Sequence, residues 1–308
     1  MWFIVIAFVV IALARTTQNF CKKVSSREIH GAESFFSYAG FYQLVATLGA
    51  AVYLLFIGFD GTNAPTLICA LCSAVFFAVD LFTGIEAVKR CSLVVSTMVS
   101  MGGLIVSCVV SYFWFKEPMS IPQIIGLFVF FVGVYFISAK DKKSEQKLDF
   151  YAALLLFFNF LSNGLIMVAQ KYFALKVNGG NVGLFSFYTF LFNTVILYAI
   201  LGIVVLSKKK AGQKVQGVKL SKSLIVSGIV LAVGLVFVNC LMTELGKIVS
   251  AVILFPTSSA IAIGTTTLVG WIVYRERLTK ANWLGLFLGL LSIVVIGVFT
   301  PETLAKLF

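Results

Sequence analysis

A carboxylate stands inside an otherwise apolar stretch of this chain. Asp80 lies between Val79 and Leu81, well away from the ends of its hydrophobic run. A charge at that depth of a membrane is costly unless it meets a partner or lines a cavity, and a carboxylate there can take up a proton or a cation. We therefore expect Asp80 either to bind a proton or cation, or to be a boundary residue or a packed partner of Lys89.

Neutral polar side chains recur at similar depth. Each alone is more typical of hydrogen bonds between helices, but several occupy corresponding positions of a repeated pattern, which favours a shared aromatic and amide cavity. The candidate substrate-binding residues are Gln18, Tyr38, Gln43, Asp80, Gln170, Tyr188 and Asn193.

Two lysines follow a glutamate at a spacing of three, as Glu86 with Lys89 and Glu244 with Lys247. Side chains three apart on a helix are neighbours, so each pair can close on itself. The alternative is that Lys89 and Lys247 contact an anionic group of a substrate. Both interpretations remain open from the sequence.

The residue types predict no catalytic group, metal centre or cofactor. His30 is the single histidine, and the six cysteines lie mostly within apolar runs, which does not indicate a disulfide framework. The chain lacks a GxxxxGK[ST] nucleotide-binding loop. Its Lys208, Lys209 and Lys210 run is typical of a solvated loop, so no nucleic-acid partner is expected.

Membrane helices must position these side chains. Hydrophobic residues make up 60% of the 308 residues and charged ones 12%. The apolar runs have the roughly 20 residues that a helix needs to cross a bilayer, which predicts an all-α integral membrane protein. Ten transmembrane helices are expected at residues 2–14 (extending towards 20), 35–58, 64–84, 92–115, 122–139, 150–169, 183–206, 224–242, 249–274 and 281–300.

The basic residues predict an orientation. Loops after the odd-numbered spans carry 19 Lys and Arg residues, and those after the even-numbered spans carry 4. Because basic loops stay in the cytoplasm, we expect non-cytoplasmic termini in a multi-pass protein of the plasma membrane.

The hydrophobic pattern occurs twice. Residues 116–127 return 159 positions later as residues 275–286, and four further units match in the same order. Each half, 1–140 and 150–300, has five expected spans. Five is an odd number, so the second half must cross the membrane in the opposite sense, which predicts two inverted five-helix repeats.

The chain resembles the EamA-type carriers of the drug/metabolite transporter superfamily. The signature is an acidic residue, then Ser or Thr, Gln or Asn, and Gly at the start of the last helix of each half, with a proline, Pro256, in the fourth helix of the second half. The matching residues are Glu117, Ser120, Gln123, Gly126, Glu276, Thr279, Asn282 and Gly285. Ser120 and Thr279 are expected to cap the helices that follow them.

The resemblance implies a secondary transporter that moves a small organic metabolite or drug-like solute by alternating access. A nucleotide-sugar or phosphate-ester exchanger of the same superfamily is an alternative, and a membrane-embedded lipid-handling enzyme or scaffold is an alternative of another class. The expected partners are the solute and the lipid bilayer, and the internal duplication removes the need to dimerise. Arg15 is expected within or just beyond the first span.

Overall fold

The computed structural model describes residues 2–59, 61–91, 93–138, 150–177, 180–212, 220–273, 275, 279–299 and 301. Within them the regular structure is entirely helical, as predicted. The helices are α1 (Trp2–Glu28), α2 (Gly31–Ile57), α3 (Ala64–Arg90), α4 (Leu93–Met101), α5 (Leu104–Phe113), α6 (Ile121–Ser138), α7 (Phe150–Lys176), α8 (Val182–Lys210), α9 (Lys222–Ile248), α10 (Ala251–Ile272) and α11 (Lys280–Val298).

The outer surface of the helices is apolar. Leu55, Phe56 and Phe128 expose 84%, 86% and 69% of their surfaces, which water disfavours and hydrocarbon accepts. Nine segments of the described chain are long and apolar enough to cross a membrane, with α4 and α5 counted together. The described apolar stretch of α6 is shorter. The chain is a multi-pass membrane protein.

Each predicted span coincides with a helix or with the α4–α5 pair, but several helices continue beyond the apolar residues. α1 reaches Glu28 rather than residue 20, and α7 reaches Lys176 rather than residue 169. Backbone N–H and C=O groups must stay hydrogen-bonded within a bilayer. The helix therefore continues where its side chains become polar. Arg15 therefore lies at the middle of α1, about 20 Å from either end.

The fourth span is interrupted between α4 and α5, a break that the sequence does not predict. Gly102 and Gly103 form the interruption, and Gly103 packs closely against α7. A Cβ atom on Gly103 would lie 2.5 Å from the carbonyl oxygen of Phe160 and 2.6 Å from the amide nitrogen of Gly164. Only glycine permits the backbones to approach this closely.

The most extensive helix contacts join the two halves of the sequence. α6 packs against α11, α2 against α8, α3 against α7, and α1 against α9. At the α6–α11 crossing, a Cβ on Gly133 would lie 2.9 Å from the backbones of Gly285 and Gly289. The small-residue face of the last helix is thus an internal contact. Most of the boundary expected at residues 140–150 lies outside the described residues.

The duplicated segments begin with the same unusual backbone conformation. Lys116 has a φ of 56° and Arg275 a φ of 51°, which is the left-handed region that side chains other than glycine rarely adopt. The two residues are 159 positions apart, the offset between the copies. Each stands in the turn that leads into the last helix of its half.

The capping predictions for those last helices are confirmed. The backbone N–H of Ser120 donates to Gln123 Oε1 at 2.9 Å, and the backbone N–H of Gln123 donates to Ser120 Oγ at 3.4 Å. Thr279 and Asn282 form the same reciprocal pair at α11, at 3.0 and 3.1 Å. Each arrangement satisfies two backbone donors at a helix start. Glu276 lies outside the described residues.

Candidate functional site

One face of α1 carries charged and amide side chains into the protein. Arg15, Gln18, Asn19 and Lys22 recur at spacings of three and four, which places them along one side of a helix. Arg15 and Asn19 are buried. Because α1 packs against α3, α9 and α10, this polar face meets helices of both halves.

The guanidinium of Arg15 is attracted by the Asp80 carboxylate but lies beyond ion-pair distance of it. Its Nη1 donates to the sulfur of Met101 at 3.3 Å, and its Nε is buried without a hydrogen-bond partner. Arg15 takes part in no ion pair within the described part of the chain. A thioether is a weak acceptor, so this buried cation keeps unused donors.

Asp80, in contrast, has strong partners. Lys22 Nζ lies 3.6 Å from Asp80 Oδ2, and Asn159 Nδ2 donates to Asp80 Oδ1 at 3.0 Å. The pairing with Lys89 is not formed, because Lys89 lies about 13 Å further along the same helix and bonds Glu86 instead. Binding of a proton or cation by Asp80 stays a prediction.

Amide side chains with unused hydrogen-bonding groups surround the same space. Gln43 on α2 is fully buried, and neither of its amide atoms has a partner. Gln18 Nε2 and Asn163 Oδ1 also lack one. Gln170 differs, since its Nε2 donates to Asn239 Oδ1 at 2.7 Å. Unpaired buried amides cost free energy, which favours a space that takes up water or a polar ligand.

A single cavity, partly open to solvent, joins these groups. The lining contains two basic side chains, Arg15 and Lys22, and one carboxylate, Asp80. Its formal charge is therefore +1. Helices α1, α2, α3, α4, α7 and α9 contribute its polar lining, which is Arg15, Gln18, Asn19, Lys22, Tyr42, Gln43, Asp80, Ser100, Asn163, Gln170 and Asn239.

The predicted binding residues divide into two groups. The cavity is lined by Gln18, Gln43, Asp80 and Gln170. Tyr38 lies outside the lining, where its hydroxyl accepts a hydrogen bond from Ser25 at 2.6 Å. The hydroxyls of Tyr188 and Thr62 lie 2.9 Å apart near the start of α8. Asn193 is buried elsewhere on α8, and its amide atoms have no partner.

Lys89 and Lys247 do not line the cavity. Lys89 Nζ lies 2.5 Å from Glu86 Oε1, and Lys247 Nζ lies 3.1 Å from Glu244 Oε2. Each lysine thus pairs within its own helix, at the C-terminal end of α3 or α9. Contact of these lysines with an anionic substrate stays a prediction.

The sequence reasoning missed Arg15, Lys22 and Asn239 as cavity residues. A signal for the first two was present, because residues 15, 18 and 22 have helical spacing. That signal was overlooked because the hydropathy pattern placed the end of the first span near these polar residues. Only when α1 continues to Glu28 do residues 15, 18 and 22 lie on one helix face.

A second buried ion pair has a structural role. Lys171 Nζ lies 3.0 Å from Glu117 Oε1 and donates to the carbonyl oxygens of Gly246 at 3.1 Å and Val249 at 3.0 Å. Glu117 Oε2 accepts from the backbone N–H of Ala251 at 3.1 Å, at the start of α10. All three ammonium donors have partners, so this pair ties α7, α9 and α10 together.

The described residues contain no group of three or more His, Cys, Asp or Glu side chains that could hold a metal ion. The cysteines of the chain are free thiols in this structure. The chemistry available in the cavity is therefore hydrogen bonding and charge recognition by one arginine, one Lys–Asp pair and several amides.

Comparison with known proteins gives a relative and a shared fold. No protein-family model matches the chain. The chain is 26% identical over 211 residues to an uncharacterized protein of Haemophilus influenzae, and the match covers 68% of this chain and 67% of that protein. It is similar, with a TM-score of 0.66 and 12% identity, to a solved structure described only as the crystal structure of a protein; the match covers 96% and 97% of the two chains. At this identity the similarity establishes the fold alone.

Proposed function

We propose that this protein is a secondary transmembrane transporter that moves a small organic solute by alternating access. The observation that carries the proposal is the polar cavity among membrane helices of both halves. Buried charges and unpaired amides are costly in an apolar bundle, and they are typical of substrate or ion pathways. A scaffold whose halves only pack together would fill the same space with apolar side chains.

The helix packing supports an inverted repeat, in which α4 and α5 together correspond to α10. Exchange of the two halves then leaves the α6–α11 and α2–α8 contacts unchanged and converts the α3–α7 contact into the α1–α9 contact. It also converts the α2–α9 contact into α3–α8. Any pseudo-two-fold axis between the halves produces this pattern, and five spans in each half put that axis in the membrane plane. Rocking of such halves about a central site is a known basis of alternating access.

We further propose that the chain is an EamA-type carrier, on the signature residues at the start of α6 and α11. A lipid-handling enzyme is less well supported, because it needs convergent catalytic groups at one membrane face. The cavity lining offers a single carboxylate, which already pairs with Lys22.

Access to the cavity from both membrane faces tests the proposal. In a cysteine-free variant, Gln43→Cys places a thiol in the cavity wall. A membrane-impermeant methanethiosulfonate reagent is then applied to right-side-out and inside-out vesicles. We expect labelling in both preparations, because an alternating-access cavity opens to each side in turn.

Ser73→Cys in the same background is the matched control. Ser73 is fully buried on α3 and does not line the cavity, so we expect its thiol to stay unlabelled in both preparations. A Gln43→Cys thiol that reacts from neither face would indicate a filled scaffold. Reaction from one face only would favour a one-sided enzyme site and contradict the proposal.

A further inference from the structure

We infer that the solute carries an oxyanion, a carboxylate or a phosphate, that binds Arg15 at the centre of the cavity. The inference rests on the proposed transport function and extends it by naming the charge of the substrate. The net charge of the cavity comes from Arg15, Lys22 and Asp80. Lys22 and Asp80 form an ion pair with each other, whereas Arg15 forms none within the described chain.

Arg15 has no ion-pair partner of its own in the part of the chain that the structure describes, because the Asp80 carboxylate that attracts it from beyond ion-pair distance pairs with Lys22. Arg15 lies at the middle of α1, with 7% of its surface exposed, and among the described residues only the Met101 sulfur accepts a hydrogen bond from it. Its Nε has no partner. An isolated buried cation costs far more free energy than a paired one, so the structure favours a ligand that brings the missing negative charge.

The other two charges of the cavity form an ion pair with each other, and the carboxylate of that pair attracts Arg15 only from a greater distance. Lys22 lies within ion-pair distance of Asp80, and Asn159 donates a further hydrogen bond to that carboxylate. The formal charge of +1 that remains in the lining therefore resides on Arg15. A cationic solute would place a second positive charge beside Arg15 and would find the one carboxylate already occupied.

Neighbouring donors suit an oxyanion. The planar guanidinium can bind two oxygens of a carboxylate or phosphate at once, which an ammonium group cannot do as a fixed pair. Gln18, one turn further along α1, has an unpartnered Nε2, and Gln43 is fully buried with its amide unpaired. These groups give the bound anion hydrogen bonds from two helices of the first half.

The test measures thermal stabilisation of the purified protein by four probes, namely succinate, inorganic phosphate, the neutral analogue succinamide, and choline. A ligand that binds the folded state raises its melting temperature. We expect stabilisation by one or both anions and not by succinamide or choline. A stronger effect of succinate indicates a carboxylate substrate, and a stronger effect of phosphate indicates a phosphorylated one.

Variants of Arg15 assign the effect to that side chain. Arg15→Gln is expected to weaken the apparent affinity for the stabilising anion about tenfold to a hundredfold, as loss of a charged hydrogen-bond donor does, with Arg15→Lys in between. Without ligand, Arg15→Gln should melt no lower than the parent, because it removes an unpaired charge. Lys209→Gln, which changes an exposed lysine outside the cavity, should leave anion binding unaltered.

Three results would overturn the inference. Anion binding that Arg15→Gln leaves unchanged, no stabilisation by either anion, or stabilisation by choline or succinamide alone would each do so. If the Gln43→Cys thiol still reacts from both membrane faces, the transport function stands and only the anion assignment falls. If it does not, both proposals fall together.

Discussion

Buried basic side chains have two different environments in this protein. Lys171, with 3% of its surface exposed, uses all three donors on Glu117 and two carbonyl oxygens. Arg15 is nearly as buried, yet among the described residues only the Met101 thioether accepts a hydrogen bond from it, and it forms no ion pair there. A paired charge stabilises the fold that supplies its partner, whereas an unpaired one points to a ligand.

At this scale we expect Lys171→Met to destabilise the protein strongly. The change leaves the Glu117 carboxylate without its cation near the start of α10, and removal of one partner of a buried pair costs about 3 kcal/mol. The measurement is the melting temperature in detergent. Lys89→Met is the control, because its intrahelical pair with Glu86 is partly exposed and should contribute less than about 1 kcal/mol. Equal shifts for the two variants would contradict a structural role for Lys171.

At the scale of elements, glycines decide which helices touch closely. Gly103 at the α4–α5 interruption meets Gly164 of α7, and Gly133 of α6 meets the Gly285 and Gly289 face of α11. Lipid tails are as apolar as the side chains, so close backbone packing is a main source of helix association in membranes. The interruption of the fourth span brings the cavity residues Ser100 and Met101 to the end of α4.

We expect Gly103→Ala to lower the melting temperature. The added methyl group would meet backbone atoms at 2.5 and 2.6 Å, and these atoms move only if the helices separate. Such overpacking typically costs about 1–3 kcal/mol. Gly202→Ala on α8 is the control, since no atom lies within 4 Å of the position that its methyl group would take and alanine favours the helix. A stable Gly103→Ala protein would show that the contact between the α4–α5 interruption and α7 is not tight.

At the scale of the whole molecule, contacts group the loops by membrane face. Glu28, the last residue of α1, accepts a hydrogen bond from Ser221, and Glu33 at the start of α2 pairs with Lys208 at 3.1 Å. On the other face, Asn181 donates to the carbonyl oxygen of Gly58 at 2.9 Å. Loops after spans 1 and 7 therefore share one face, and loops after spans 2 and 6 share the other.

The charge bias predicts that the first of these faces is cytoplasmic. In a cysteine-free background, an impermeant thiol reagent added to intact cells should label Ala64→Cys, at the exposed start of α3, and spare Lys209→Cys. Permeabilised cells should label both, which controls for reactivity. Labelling of Lys209→Cys alone in intact cells would reverse the orientation and leave the helix packing unaffected.

The sequence alone determined the membrane class, the approximate places of the spans and the caps at Ser120 and Thr279. These properties depend on local composition and spacing. The length of an apolar run decides whether a helix can span the bilayer, and the residue just before a helix decides whether it is capped. The sequence also selected four candidate binding residues that line the cavity, because polar residues are rare within apolar runs. They are Gln18, Gln43, Asp80 and Gln170.

Only the tertiary structure decided which polar groups meet. It extended α1 to Glu28 and so put Arg15 at the middle of that helix. It also paired Asp80 with Lys22 rather than Lys89, and left Tyr38, Tyr188 and Asn193 outside the cavity. Hydropathy measures how a segment partitions into lipid, and it carries no information on the partner that a side chain finds across a helix contact. Lys171 finds such a partner in Glu117 and stabilises the fold. Arg15 forms no ion pair among the described residues, so its charge is available to a ligand.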